Sequence, residues 1–224
     1  MIVKRLLSFD VGIIHLAYAE LIVGGPSVYK LDRWDVLDVT DGAGMPKKNA
    51  IDVLSQQLLD ALDREFNDPS VMYDTVLIEN QPANKNPLMR SVQMIIFTYF
   101  NCLRLYVGNV GSVRLVSATR KLSMRHSAEP VPAPASSPPP PLPVLSASEQ
   151  YKTRKATAVR LASHYLTEIM HDPVMAAVLK SSKKKDDLSD CLLQALWFAE
   201  QHLPAALLTV ASTTSPATSV PRSS

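Results

Sequence analysis

The segment "DTVLIEN", residues 74–80, limits the folds open to this chain more than any other. Its apolar residues form a short, continuous run, which is typical of a central β-strand buried on both faces. A strand of this kind needs a packed layer on each side, and helices supply those layers in α/β proteins. The segment therefore predicts a sheet sandwiched between helices.

The surrounding patterns predict the order of the other elements. Three extended runs within residues 4–39, separated by tight turns, predict an antiparallel meander, and "SVRLVSA" predicts a further strand after the central one. Apolar residues at helical spacing predict four helices, at about 48–66, 88–107, 151–170 and 185–201. The order βββαβαβ followed by helices predicts a mixed five-stranded α/β sheet, with three antiparallel strands followed by parallel ones.

One abrupt change of composition interrupts this pattern. The chain has 224 residues, which suits one domain, and we expect that domain to span residues 1–202. Residues 127–148 hold most of the 17 prolines, and proline fixes φ and removes a hydrogen-bond donor. We therefore expect a disordered or polyproline II insertion there and a disordered tail at 203–224. The only basis for expecting a proline-binding partner of this insertion is its proline-rich composition.

Composition also bears on the compartment and on the class of partner. No apolar run reaches 18 residues, and nothing before the first strand has the pattern of a presequence, so we expect an intracellular protein. Cys102 and Cys191 lie in apolar helical patterns, which predicts buried free thiols in a reducing compartment. The net charge of +2 permits a polyanionic partner without requiring one.

Two acidic residues stand at the ends of predicted strands. Asp10 interrupts the apolar run of the first strand, and Glu79 closes the central strand. A lone buried carboxylate is unfavourable unless it is paired, protonated or metal-bound. Capping of a turn by Asp10 and pairing of Glu79 with a lysine are structural explanations that stay open. In open α/β sheets, however, strand ends are also where functional sites assemble.

A third acidic group, Asp186, Asp187 and Asp190, opens the last predicted helix. Acidic residues in a first turn also act as caps and favour the helix dipole, so capping remains an alternative. Asp190 lies past the first turn, at about 40° from Asp186 and about 60° from Asp187 around the helix axis. Like charges this close repel each other, and a cation would relieve the repulsion. The opposite side of the helix is apolar and predicted to face the core.

Together these side chains form a set of hard oxygen ligands. Such a set suits Mg²⁺ or Mn²⁺ and does not suit soft metals. Two such ions about 4 Å apart hold an attacking water and stabilise both oxygens of a phosphodiester displacement. The residues thus indicate a metal-dependent phosphodiesterase site with two ions.

The order of three motifs, "SFDVG", "LIENQ" and "KKKDDLSDCLLQAL", resembles the RuvC-like Holliday junction resolvases of the RNase H-like superfamily. The resemblance spans about residues 3–202, without the insertion, and is nearest to the poxvirus-type and fungal mitochondrial resolvases. It implies a homodimeric endonuclease, dependent on Mg²⁺ or Mn²⁺, that resolves four-way DNA junctions in recombination, repair or replication. The viral relatives imply a site of viral DNA replication in the host cell, which the lack of a presequence favours over a mitochondrion.

The resemblance also assigns residues. Asp10 and Glu79 match the first and second catalytic acids, and Asp187 and Asp190 match the pair on the last helix. All four are implied metal ligands, and Asp186 either replaces or assists Asp187. Gly12 matches a glycine of the family and permits a turn or a close backbone approach.

The chain departs from the family pattern just after the first motif. His15 stands where the family often has asparagine, and Ile14 where it often has lysine. Two readings of His15 stay open: a tolerated structural change, or altered contacts near the metal.

Basic residues supply candidate contacts to DNA phosphates, although a solvated charge run is the alternative for each group. The candidates are Lys183, Lys184, Lys185, Lys152, Arg154, Lys155, Arg160, Arg120, Lys121 and Arg125. Gln81 and Asn84 either contact DNA or shape their loop. The helix at 88–107 is more apolar than core packing requires, which predicts a two-fold dimer interface.

Three rival functions follow from the same residues. The chain could be another RNase H-like nuclease acting on flaps, RNA–DNA hybrids or structured RNA. It could also be a junction-binding protein without turnover. An actin-like sugar kinase is disfavoured, because only 7 glycines occur and none forms a nucleotide loop after Gly111.

Overall fold

The computed structural model describes residues 3–24, 28–40, 42, 44, 51–82, 86–117 and 146–203. The strands are β1 Lys4–Asp10, β2 His15–Val23, β3 Tyr29–Asp38, β4 Tyr73–Asn80 and β5 Val110–Ser117. The helices are α1 Ile51–Phe66, α2 Pro87–Cys102, α3 Ala147–His164, α4 Pro173–Ser181 and α5 Lys185–His202. Short π-helical turns extend α2 over Leu103–Val107 and α3 over Tyr165–Ile169.

All five strands join one sheet in the order β3-β2-β1-β4-β5. The first three strands pair antiparallel, whereas β4 runs parallel to both β1 and β5. The predicted fold class, a mixed five-stranded sheet flanked by helices, is confirmed. β4 lies inside the sheet between β1 and β5, and its apolar run is continuous because both of its faces are covered.

Alternation along β1 separates two apolar cores. Leu7 and Phe9 face α1 and α2, where Phe9 packs with its ring centroid 5.3 Å from those of both Phe66 and Phe100. Leu6 faces the other way and packs with Leu77 against α3 and α5. Every second residue of a strand points to the same face, so the parity of a strand residue decides which helix layer it meets.

Helix α5 is buried around almost its whole circumference, which corrects the prediction of a single core-facing side. From Leu188 to Glu200 every residue is buried except Asp190, which is half-buried. The sheet covers one side of α5, and α3 and α4 cover the other. Buried polar residues such as Gln194 therefore need partners inside the protein.

Two further expectations from the sequence are wrong. Cys102 is exposed near the end of α2, and only Cys191 is a buried thiol. Helix α4 was not predicted from the sequence, although the sequence contains a helix-start signal for it at Asp172 and Pro173. Asp172 accepts a hydrogen bond from the Met175 amide at 3.0 Å, and Pro173 opens the helix. An Asp-Pro pair is typical of a helix start, and the nine-residue helix is simply short.

Helix α3 begins earlier than its hydrophobic pattern indicates. Ser146 and Glu149 form a capping box, which starts the helix at Ala147. Of the predicted insertion at 127–148, only residues 146–148 are described, so its disorder stays a prediction. Arg120, Lys121, Arg125 and Asn84 also lie outside the described residues, as does the tail beyond 203.

No helix among the described ranges combines the length and apolar character needed to cross a bilayer.

A buried ion cluster ties β1, β2 and β3 together. The side chain of Glu20 is 1% exposed and accepts from Arg5 and, at 2.6 Å, from Nε of Arg33. Arg33 also donates to Glu65 at 2.8 Å and to the Tyr73 hydroxyl at 3.2 Å. A buried carboxylate needs such partners, since the loss of either side leaves an uncompensated charge.

We therefore expect Glu20→Gln to lower the free energy of unfolding by about 3–5 kcal/mol, because two guanidinium groups lose their shared anion. Urea unfolding measures the loss. Asp32→Asn is the control: Asp32 pairs with Arg5 and Lys30, but its side chain is 31% exposed. A partly exposed pair of this kind contributes less than about 1 kcal/mol. Equal losses for the two variants would contradict a special role for Glu20.

Candidate active site

The register of β1 and β4 brings two predicted acids to the same edge of the sheet. Phe9 pairs with Ile78 in the parallel ladder, and Asp10 and Glu79 are the next residue of each strand. Neighbouring strands lie about 4.8 Å apart, so the two carboxylates leave the sheet side by side. Both residues are partly buried. The sheet thus juxtaposes residues that are far apart in sequence.

Both acids belong to the face that α5 covers. Leu6, Ser8 and Asp10 share one face of β1, and Leu77 and Glu79 share the same face of β4. Leu6 and Leu77 pack in the core that contains α5. Asp10 and Glu79 therefore extend the α5 side of the sheet at its carboxyl edge.

A buried amide holds α5 against β1 next to Asp10. Gln194 is 2% exposed, and its Nε2 donates to the Ser8 hydroxyl at 3.1 Å and to the Phe9 carbonyl at 3.2 Å. Asp190 lies one turn earlier, about 6 Å along the helix axis. At the start of α5, Trp34 donates from Nε1 to the Leu188 carbonyl at 3.0 Å. These contacts set where the acidic turn of α5 lies relative to the strand ends.

The two adjacent aspartates at the start of α5 differ electrostatically. Asp186 is ion-paired with Lys155 of α3. Burial opposes its charge, but the hydrogen bond and charge of Lys155 outweigh burial and lower the pKa of Asp186. Burial raises the pKa of Asp187, and the charge of Asp186 raises it further. Lys184, with Nζ 3.7 Å from the Asp187 carboxylate, offsets this only in part. The two neighbours therefore shift in opposite directions, with the pKa of Asp186 lowered and that of Asp187 raised.

His15 lies at the same edge as these acids. His15 is the first residue of β2 and pairs with Asp38 of β3. Ala17, two residues further along β2, pairs with Asp10 of β1. Its charge acts to lower the pKa of Asp187. The pKa of Asp38 is lowered mainly by hydrogen bonds from Thr40, with a smaller contribution from His15. His15 is therefore within electrostatic reach of Asp187 and Asp38.

Gly12 is required by the backbone at this turn. A Cβ placed on Gly12 would lie 2.0 Å from the His15 carbonyl oxygen, which is far inside van der Waals contact. The close backbone approach predicted for Gly12 is therefore seen, and it folds the chain tightly between Asp10 and the start of β2.

The carboxylates that the sheet and α5 bring to this edge are hard oxygen donors, which by residue type fit a divalent cation such as Mg²⁺. Within the described part of the chain, no three or more His, Cys, Asp or Glu side chains converge as a ready-made metal site. Metal binding by Asp10, Glu79, Asp187 and Asp190 therefore remains a prediction from residue type and position.

The predicted basic residues occupy different places around this edge. Lys183 and Lys185 line a groove together with Lys155 and Asp186, whereas Lys184 lies beside Asp187. Lys152 and Arg154 are exposed on the first turns of α3.

Buried amides are the residues that sequence reasoning missed. The backbone N–H of Gln81 donates to Gln93 Oε1 at 2.7 Å, which supports a loop-shaping role for this stretch. Arg90 donates to Asn80 at 2.9 Å and secures the same turn after β4. Gln93 and Gln194 are both buried polar residues inside apolar helices. A glutamine at a core-facing position of an apolar helix was the signal in the sequence for these contacts, since a buried amide must find hydrogen-bond partners.

Comparison with solved structures identifies the fold. The yeast mitochondrial Holliday junction resolvase superposes with a TM-score of 0.58 at 15% identity, covering 87% of this chain and 78% of that one. This chain has the RNase H-like fold of the RuvC-like resolvases. The resemblance drawn from the three acidic motifs is confirmed at the level of the fold.

Other similarities to this RuvC-like fold are weaker. The fowlpox virus Holliday junction resolvase gives a TM-score of 0.49 at 18% identity, covering 89% of this chain and 98% of its own. Thermus thermophilus RuvC in complex with a Holliday junction substrate gives 0.47 at 12% identity, covering 89% and 96%.

In sequence, an alignment of 147 residues that covers 63% of this chain is 28% identical to an uncharacterized protein of Acanthamoeba polyphaga mimivirus. The match spans 32% of that relative's length. No protein-family model matches the chain.

The position of Gln194 in this RuvC-like fold predicts that Gln194→Leu loosens the acidic edge. Two hydrogen bonds are lost and buried partners on β1 are left unsatisfied, so the free energy of unfolding falls by about 1–3 kcal/mol. Because α5 then loses its registration against Asp10, we also expect several-fold weaker Mn²⁺ binding. Urea unfolding and calorimetric Mn²⁺ titration measure the two effects.

Gln201→Leu is the matched control, since Gln201 is an exposed amide on the same helix. It should change stability by less than about 0.5 kcal/mol. Wild-type stability together with wild-type Mn²⁺ affinity in Gln194→Leu would contradict the anchoring role.

The acidic set also predicts stabilisation by metal. At a hundredfold excess over its Kd, Mn²⁺ should add about 2.7 kcal/mol of stability and raise Tm by roughly 5–10 °C. Asp10→Asn and Asp190→Asn should abolish this shift, whereas Asp60→Asn, an exposed carboxylate of α1, should keep it. Thermal unfolding followed by circular dichroism makes the measurement. A shift that survives in Asp10→Asn would place the bound ion elsewhere.

Proposed function

We propose that this protein is a structure-selective endonuclease that resolves four-way DNA junctions by divalent-metal-dependent phosphodiester hydrolysis. The observation that carries the proposal is the placement of Asp10 and Glu79 on adjacent parallel strands, on the face covered by the acidic helix α5. The yeast protein that shares this fold is a Holliday junction resolvase.

In this proposal, Asp10, Glu79, Asp187 and Asp190 hold two divalent ions. Bound Mg²⁺ or Mn²⁺ would activate a water and stabilise the charge that develops on the scissile phosphate. The carboxylates supply hard oxygen ligands from three elements, β1, β4 and α5. Gln194 keeps α5 registered on β1 through its contacts with Ser8 and Phe9.

The electrostatic difference between Asp186 and Asp187 supports Asp187 as the main ligand. Lys155 engages Asp186, which joins α3 to α5 and neutralises that carboxylate. Lys184 lies beside Asp187 with Nζ at 3.7 Å, and together with the charges of Lys155 and His15 it offsets only part of the rise in the pKa of Asp187 that burial and Asp186 cause. A cation would therefore gain more from Asp187, and Asp186 acts by holding Lys155 in place.

A homodimer is part of the same proposal. Exposed apolar side chains extend from α2 into the turn that follows it: Met94, Leu105, Tyr106 and Val107. Tyr106 is 84% exposed. Such a patch suits an isologous interface, and two copies related by two-fold symmetry match the paired cuts that a four-way junction requires.

A junction-binding protein without turnover is the second candidate. It is favoured by one observation, the lack of a ready-made cluster of three or more metal-binding side chains in the described ranges. Cleavage assays separate the two candidates, because a binding protein would hold the junction intact under every divalent metal. Comparison of a junction, a linear duplex, a flap and an RNA–DNA hybrid separates junction resolution from other RNase H-like activities.

We expect Asp10→Asn to abolish Mg²⁺-dependent cleavage of a four-way junction while junction binding persists within about twofold. Loss of a ligand that contributes several kcal/mol to the transition state corresponds to roughly a 10³-fold fall in rate. Single-turnover cleavage of a labelled junction and gel-shift binding in Ca²⁺ measure the two quantities.

Asp60→Asn serves as the control here as well and should cleave at the wild-type rate, since Asp60 is exposed on α1. Full cleavage by Asp10→Asn would exclude the proposed mechanism. Equal cleavage of junction and linear duplex by the wild type would exclude structure selectivity.

A further inference from the structure

The strand that carries Glu79 begins to leave the sheet at this residue. The parallel ladder between β1 and β4 ends at the pair Phe9–Ile78, one residue before Glu79. The ladder between β4 and β5 continues as far as the pair Asn80–Ser117. Within the described sheet, β4 is therefore paired on one side at Glu79, and the contacts of the residues that follow help to decide where its carboxylate points.

The residue after Glu79 is held from the other face of the sheet. Ile78 packs in the core formed with α1 and α2, whereas Leu77 packs in the core formed with α5. Because side chains alternate along a strand, Glu79 lies on the α5 face and Asn80 lies on the α2 face. There, Nη1 of Arg90 in α2 donates to Asn80 Oδ1 at 2.9 Å. Helix α2 thus holds the end of β4 from the face opposite the carboxylates.

Both peptide groups of the next residue, Gln81, are bound by the same face of α2. Its N–H donates to Gln93 Oε1 at 2.7 Å, and its carbonyl accepts from Arg90 Nη1 at 3.3 Å. Arg90 Nη1 also donates to Gln93 Oε1 at 3.3 Å. Residues three positions apart are neighbours on a helix surface, so Arg90 and Gln93 act as one unit. We call Asn80, Gln81, Arg90 and Gln93 the β4–α2 clamp.

The helix that carries the clamp is itself fixed at its start and in the core. Asn86 caps α2 and accepts from the amides of Leu88 at 3.1 Å and Met89 at 3.3 Å. Beyond this first turn, fully buried side chains pack α2 against the sheet: Val92, Ile96 and Phe100. The clamp therefore ties the end of β4 to a helix that has little freedom to move.

The charge of Arg90 indicates that these contacts account for the residue better than helix stability does. Arg90 is the fourth residue of α2. The helix dipole makes the N-terminal end of a helix positive, so a cation near that end is unfavourable. The first turn of α2, "PLMR", has no acidic residue to offset this charge. The acceptors on Asn80, Gln81 and Gln93 supply the compensation.

We propose that Arg90 is a positioning residue, which sets the direction of Glu79 through the β4–α2 clamp and thereby the affinity of the acidic edge for a divalent cation. The inference rests on the proposed function in one respect, the role of Glu79 as a metal ligand. Arg90 acts from the α2 face and needs no contact with the cation or with the substrate.

The test compares Arg90→Gln, Asn80→Leu and the double variant with the wild type. Calorimetric titration measures Mn²⁺ affinity. Residues that orient a metal ligand change metal affinity by about 10- to 100-fold, and we expect about tenfold weaker binding in Arg90→Gln. Asn80→Leu removes an acceptor without changing the charge and should show part of the same loss. The double variant should lose no more than Arg90→Gln, because both changes remove the same contact.

Two further measurements separate positioning from DNA binding and from general stability. At saturating Mn²⁺, the maximal single-turnover rate of junction cleavage should fall about tenfold in Arg90→Gln, because a misplaced ligand slows the chemical step. The protein concentration at half-maximal rate should stay within about twofold. Without metal, hydrogen exchange of the Gln81 amide should quicken in Arg90→Gln, which reports directly on the clamp.

Arg64→Gln is the matched control, because it removes the same charge from an exposed position in the last turn of α1. Arg33 donates both to Glu65, the neighbour of Arg64, and to Tyr73, the first residue of β4. This end of α1 therefore lies at the start of β4, away from Glu79. Arg64→Gln should keep the wild-type Mn²⁺ affinity and cleavage rate.

Urea midpoints show whether each variant is folded. Asn80 is exposed, so Asn80→Leu keeps the test decisive if Arg90→Gln lowers the midpoint.

The outcomes separate the two proposals. Wild-type Mn²⁺ affinity in both Arg90→Gln and Asn80→Leu, or an equal loss in Arg64→Gln, would overturn the clamp and leave the nuclease standing. A raised half-maximal concentration with an unchanged maximal rate would make Arg90 a DNA contact and also overturn the clamp. Weaker Mn²⁺ binding in the variants, without junction cleavage by the wild type, would support the clamp and exclude the nuclease. A wild type that binds no Mn²⁺ would exclude both.

Discussion

The hydrogen bonds from Gln194 to Ser8 and to the Phe9 carbonyl are the contact on which the candidate site depends. They join the last helix to the first strand across 185 and 186 positions of sequence, at the two residues before Asp10. A buried amide accepts few alternative arrangements, because an unsatisfied group in the core costs about 1–3 kcal/mol. The contact therefore fixes the position of α5 along the sheet more sharply than apolar packing alone.

The helices around α5 complete this arrangement. Burial on all sides leaves α5 little freedom to shift, and Trp34 holds its first turns through the Leu188 carbonyl. Lys155 then links α3 to Asp186 and distinguishes it from its neighbour Asp187. The same lysine lines an open groove with Arg160, Lys183 and Lys185. One ion pair thus connects the acidic edge with a basic groove.

Much of the fold was predictable, because local patterns carry it. The continuous apolar run at 74–80 predicted the central strand, and strand parity follows from the twofold period. Helix α4 and the early start of α3 were missed, since their caps, Asp172 and Ser146, are short-range signals outside a strong hydrophobic period. The exposure of Cys102 was missed because an apolar neighbourhood in sequence does not show which helix face is covered.

The sequence by itself determined which chemistry is available: four acids in a set order, a glycine two positions after the first of them, and cations near the last helix. Residue type and local spacing are enough for that. The tertiary structure alone decided which residues meet. Sheet register placed Asp10 beside Glu79, and packing of α3 on α5 paired Lys155 with Asp186, whereas burial and the charge of Asp186 raise the pKa of Asp187. Which residues become neighbours depends on distances between segments that are remote in sequence, and local sequence patterns do not encode those distances.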